Sequence, residues 1–149
     1  MRKANPNTAP GTLRIVAGSL RGSKLAVPDR EGLRPTSDRV RETLFNWLAP
    51  VIAGARCLDL YAGTGALGIE ALSRGAGECV FVERDRDLCE GLRGNITRLH
   101  VANARVVNAD TDGFLAAPAT QAFDLVFLDP PFATDLWAAA AGRLEQGAW

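Results

Sequence analysis

Four short apolar runs, each closing on an acid or amide, punctuate the last two thirds of this 149-residue chain. They are Arg56–Leu60, Glu78–Val82, Ala104–Asn108 and Phe123–Leu128. The polar residues at their C-terminal ends are Asp59, Glu83, Asn108 with Asp110, and Asp129. Helical stretches lie between them. One runs from a glycine turn to about Arg74 and stops at Gly75. A second covers Asp85–His100, with Leu88, Leu92, Ile96 and Leu99 on one face. A short helical turn holds Phe114 and Leu115, and a last helix covers Leu136–Gln146. Repeated strand–helix units of this kind predict an α/β fold: a Rossmann-like, doubly wound, mostly parallel sheet with strand order 3-2-1-4. Ligands of such sheets bind outside the carboxyl ends of the strands, where those acids gather.

The first strand leads into Asp59-Leu60-Tyr61-Ala62-Gly63-Thr64-Gly65-Ala66-Leu67-Gly68. Gly63, Gly65 and Gly68 match G-x-G-x-x-G between a strand and a helix, and Glu83 follows Gly63 by twenty residues, a spacing that suits a carboxylate on a ribose diol. By spacing alone this is equally a dinucleotide fingerprint. Asp59 argues otherwise. A carboxylate just before the loop repels a pyrophosphate but suits the ammonium and sulfonium of S-adenosylmethionine. On that reading Asp59 faces the amino end of the methionine, Ala62, Gly63 and Gly65 line the cofactor, Glu83 with Arg84 beside it holds the ribose, and Asp110 meets the adenine amine. The plainer alternatives are a tight turn for the glycines and surface acids for Glu83 and Asp110.

The fourth strand ends in Asp129-Pro130-Pro131-Phe132. Two prolines cannot continue a ladder, so an acid, a stiff loop and an aromatic are presented at the ligand edge. This suits methyl transfer to the exocyclic amine of a base. Asp129 and the Pro130 carbonyl can accept its two N–H groups, and Phe132 can stack the extruded base. The only histidine, His100, reads as a helix C-terminal residue rather than a proton shuttle.

The net charge is zero, but it is unevenly distributed. Residues 1–48 hold nine Lys/Arg against four Asp/Glu, and the remainder is acidic. A basic segment beside an acidic domain points to a polyanionic partner. Residues 1–10 are expected to be a disordered tail. Residues 11–50 are expected to form a basic extension that faces this polyanion, which the resemblance given below implies is RNA. In it, a β-hairpin from Leu13–Gly18 and Ser23–Pro28 carries Arg14, Arg21 and Lys24. A helix over about 37–48 follows, capped by Thr36 or Ser37, with Val40, Leu44, Trp47 and Leu48 as its apolar stripe. Pro50 and Gly54 are expected to end it. Arg34, Arg39 and Arg41 cluster around its start as candidate phosphate contacts. Residues 51–149 then form the cofactor domain. No apolar run approaches the ~18 residues of a membrane span, and there is no secretory h-region. Cys57, Cys79 and Cys89 read as buried free thiols of a cytoplasmic protein, with no metal site expected.

Asp129-Pro130-Pro131-Phe132 resembles the motif of S-adenosylmethionine-dependent amino-methyltransferases. Arg14–Gly18, Leu58–Gly68 and above all Gly32–Leu48, with its Arg34-Pro35-Thr36-Ser37-Asp38-Arg39-Val40-Arg41-Glu42 run, resemble the bacterial 16S ribosomal RNA guanine-N2 methyltransferase family. The resemblance implies a class I methyltransferase that modifies one guanine of 16S rRNA, within the small subunit or an assembly intermediate, and acts as a monomer. Family members continue past Trp149 with strands that complete the sheet. The chain is therefore expected to be a fragment whose fourth strand is an open edge, binding its donor weakly and methylating poorly. Three alternatives stay open from the residues: an amino-methyltransferase acting on DNA or a protein amide, an NAD-dependent oxidoreductase, and a non-catalytic RNA-binding module.

Overall fold

The computed structural model describes residues 12–27, 37–116 and 122–129. Arg34, the Pro130-Pro131-Phe132 segment, the N-terminal tail and the helix expected over 136–146 lie outside the described residues.

The α/β expectation holds. Four parallel strands, β3 (Arg56–Leu60), β4 (Glu78–Glu83), β5 (Ala104–Asn108) and β6 (Leu125–Leu128), form one sheet in the order β5-β4-β3-β6. The helices between them are α2 (Ala66–Ser73), α3 (Arg86–Arg98) and α4 (Thr111–Leu115). Among the described residues β6 is an edge, paired only with β3. Strand side chains alternate between two cores. Cys57, Cys79, Phe81 and Phe127 face Ile69, Leu72 and Leu92 of the helices. Leu58, Leu60, Val80 and Val82 face the other way, toward Leu115. Burial on both faces is why the runs are continuously apolar rather than alternating.

Ahead of the sheet, β1 (Thr12–Arg14) and β2 (Lys24–Ala26) make the expected antiparallel hairpin, and α1 (Asp38–Ile52) follows. Ser37 is the cap, its hydroxyl accepting from the Val40 amide at 3.2 Å. Three expectations for α1 are corrected. Pro50 does not end it; the helix runs on to Ile52, which is buried. Pro50 lies on the exposed side, where water can take the carbonyl it leaves free, and burying Ile52 offsets the cost. The expected stripe holds at Leu44 and Leu48, half-buried against the core, and fails at Val40 and Trp47. Val40 and Trp47 are 57% and 76% exposed, while Arg41, Phe45 and Ile52 are buried. Most consequential, Arg41 is fully buried, so it cannot be the phosphate contact expected of it. Its guanidinium reaches Asp38 at 2.7 Å, the Arg14 carbonyl, and buried Glu70 at 3.6 Å. Arg41, Phe45 and Ile52 thus form the inward face of the helix, and Arg41 brings a second cation beside Arg74 to the buried Glu70 carboxylate.

Candidate functional site

The glycine turn sits where β3 ends. Tyr61 has φ +54°, unusual for a bulky side chain, and Gly63 and Gly65 follow at +58° and +78°. Gly65 is the N-cap of α2, and a Cβ there would fall 2.4 Å from Leu92. The Ala62 amide donates to the Val82 carbonyl, which lashes the turn to the next strand. Gly68, one turn into α2, packs directly on the sheet, with Phe81 2.3 Å and Cys79 2.7 Å from where its Cβ would be.

Two carboxylates close on this turn. Glu83, at the end of β4, accepts from the Gly63 amide at 2.9 Å and from the Asp85 amide at 2.8 Å. Asp59, 2% exposed, accepts from the Gly68 amide at 3.1 Å. Burial holds the Asp59 carboxyl well above its ordinary range. The Gly68 hydrogen bond works against this, and the charges of Asp129 and Glu83 add to it. Asp129 is the last described residue, exposed, one position past the Leu60↔Leu128 register pair. The structure thus brings Asp59, Gly63, Gly65, Glu83 and Asp129 to one edge, the carboxyl ends of β3, β4 and β6. Ala62 is buried within the turn, and Arg84 is exposed with its carbonyl held by the Asn108 amide group at 2.9 Å. Asp110 occupies the N-cap position of α4 at the same edge, its side chain exposed and making no capping hydrogen bond.

Tyr61 and Thr111 went unforeseen. Burial pushes the Tyr61 phenol up, the neighbouring Thr111 side chain works against this, and the charges of Asp110 and Asp112 add to the rise. The left-handed backbone at Tyr61 leaves no mark in residue propensity. His100 is a helix C-terminal residue, as expected, in the left-handed position after α3. Val101 donates to Ile96 and His100 to Thr97, closing a Schellman motif.

The basic residues of the extension divide. Arg14 and Lys24 are exposed and directly opposite one another across the hairpin. Like charges in that register are destabilising unless an anion attends them. Arg21, in the turn, and Arg39, on α1, are also exposed. Arg41 is buried, as above. Cys57, Cys79 and Cys89 are free and buried, as expected. No helix among the described residues is long and apolar enough to cross a membrane.

Residues 13–149 match the family model described as conserved hypothetical protein 95. The Escherichia coli K12 protein named ribosomal RNA small subunit methyltransferase D is 51% identical over all of this chain, which covers 74% of that protein. The Haemophilus influenzae protein of the same name is 47% identical, with all of this chain matched and 79% of that protein covered. The solved structure of Escherichia coli yhhF has a TM-score of 0.87 at 49% identity, covering 93% of this chain and 75% of that one.

Proposed function

The chain belongs to the conserved hypothetical protein 95 family, and from that membership we propose that it is an S-adenosylmethionine-dependent ribosomal RNA methyltransferase acting on the exocyclic N2 amine of a guanine in 16S rRNA of the small subunit. One observation carries the choice of a methyl donor over a dinucleotide. The Gly63 and Gly68 amides, which a pyrophosphate would need, are already held by the carboxylates of Glu83 and Asp59. A loop so furnished attracts a cation and repels phosphate.

The residues fit S-adenosylmethionine. Asp59 opposes its ammonium end. Glu83 keeps lone pairs free for ribose hydroxyls while holding Gly63. Asp110, exposed at the same edge, would accept from the adenine amine, and Ala62 and Gly65 of the turn with Arg84 beside Glu83 would line the cofactor. The bound donor supplies an electrophilic methyl group on a sulfonium. This chain's own part is to make a poor nucleophile better. Asp129, with the Pro130 carbonyl, accepts the N–H groups of the guanine amine and localises its lone pair toward the methyl. Pro131 stiffens the loop, and Phe132 stacks the base. Positioning of this kind supplies much of the rate in bimolecular transfers.

Arg14, Arg21, Lys24, Arg34 and Arg39 are the proposed RNA contacts, and Arg41 is withdrawn from that set because it is buried. The Arg14–Lys24 like-charge pair is the feature that best supports a polyanion on this face. The substrate is proposed to be met in the cytoplasm by a monomer. Calorimetry with S-adenosylhomocysteine and with NADH tests the donor assignment. Heat from the first alone is expected, and heat from NADH alone would overturn it.

A further inference from the structure

The hairpin of β1 and β2 is two strands of three residues each, too small to hold a shape alone. What fixes it is the far end of α2, the helix that begins at the glycine turn. Glu70 is fully buried. One carboxylate oxygen accepts from the Val16 amide at 2.8 Å and the other from Ala17 at 3.2 Å. Arg74 pairs with the same carboxylate at 2.9 Å and Arg41 approaches it at 3.6 Å. One turn further on, the Ser73 hydroxyl accepts from the Leu20 amide at 2.9 Å and donates to the Ala17 carbonyl, while the Ser73 carbonyl accepts from the Ser19 amide at 2.8 Å. Gly18 lies so close that a Cβ there would fall 1.9 Å from that carbonyl. Arg41 completes the clamp from α1, its guanidinium also bonding the Arg14 carbonyl.

We propose that Glu70 and Ser73 are positioning residues: through α2 they fix the height and orientation of the basic hairpin relative to the methyl-donor turn. This rests on the reading of the hairpin as an RNA contact. The geometry makes the link short and stiff. From Gly68, bonded to Asp59, to Ser73 is five residues, about 7.5 Å along a helix axis. The hydrogen bonds bridge more than fifty residues of sequence and join backbone to buried side chains, so the hairpin cannot tilt without breaking them. Substrate placement within an ångström matters for transfer, and this clamp sets where the phosphates are gripped while leaving the donor site untouched.

The test uses the full chain and three variants, Glu70→Gln, Ser73→Ala and Lys24→Ala. Donor affinity is read by calorimetry, affinity for 16S rRNA by salt titration, and local opening by amide exchange at Val16, Ala17 and Leu20. Glu70→Gln and Ser73→Ala are expected to keep donor affinity within about twofold, to speed exchange at those amides at least tenfold, and to weaken RNA binding about tenfold with the salt slope unchanged. Lys24→Ala is expected to lower the salt slope by about one while leaving exchange alone. Ser73→Ala removes no charge, so it remains informative where Glu70→Gln fails to fold. Faster hairpin exchange with RNA affinity unchanged would overturn the positioning role alone. A parent chain that binds donor but not 16S rRNA would overturn both that role and the RNA reading beneath it.

Discussion

The carboxylate of Glu83 accepts a hydrogen bond from the Gly63 amide at 2.9 Å, joining the end of β4 to the turn after β3. That bond makes the acid part of the loop's architecture as well as a candidate ribose ligand. Glu83→Ala removes the acceptor from a buried amide. The expected loss of stability is about 1–3 kcal/mol in urea unfolding, accompanied by more than a tenfold loss of donor affinity. Glu83→Gln keeps one acceptor, and is expected to recover most of the stability and little of the affinity. If both properties return together, Glu83 is a structural residue only.

Asp59 is buried with its carboxyl shifted above the ordinary value of 3.8, chiefly by desolvation. The sign follows from proton counting. The native state holds this proton more tightly than the unfolded chain, so stability declines as pH rises from the ordinary carboxylate range toward the native pKa. Asp59→Asn is expected to flatten that decline and to leave the donor-free protein about 1 kcal/mol more stable at neutral pH. Affinity for the cationic donor is expected to fall. Unfolding of both proteins across pH 4 to 8 checks the first, calorimetry the second. A variant less stable than its parent at pH 7 would contradict the account.

His100 occupies a left-handed position, φ +56°, that glycine takes without cost. His100→Gly is expected to stabilise the chain by about 1 kcal/mol and to leave methyl transfer unchanged. Thermal unfolding and turnover check both, and lost turnover would give His100 a chemical role that its place in the fold does not suggest.

These residues also show what the sequence reveals and what it hides. The four strands were legible because each is a continuous apolar run closed by an acid or amide, their order follows from the doubly wound strand–helix alternation, and the Ser37 cap and the place of His100 follow from local rules. The face of α1 was legible only in part. Its own pattern names Leu44 and Leu48, which pack on the core, but also Val40 and Trp47, which are exposed, and it misses Arg41, whose burial depends on Glu70 of a different helix. Pro50 inside the helix is tolerated for a reason equally remote, the burial of Ile52. At the site, spacing places Asp59 and Glu83 at the strand ends, but their bonds to the Gly68 and Gly63 amides leave no mark in the sequence, and those bonds are what favour the proposed methyl donor over a dinucleotide.

The turn and Asp129 are proposed to act together on a guanine amine. Transfer of a tritiated methyl group from S-adenosylmethionine to small ribosomal subunits that lack the modification tests it most directly, comparing the parent chain with Asp129→Ala. Label in the guanine N2 position is expected with the parent, and roughly 100-fold less with the variant, at unchanged donor affinity. Equal label with both proteins, or none with either, would contradict it.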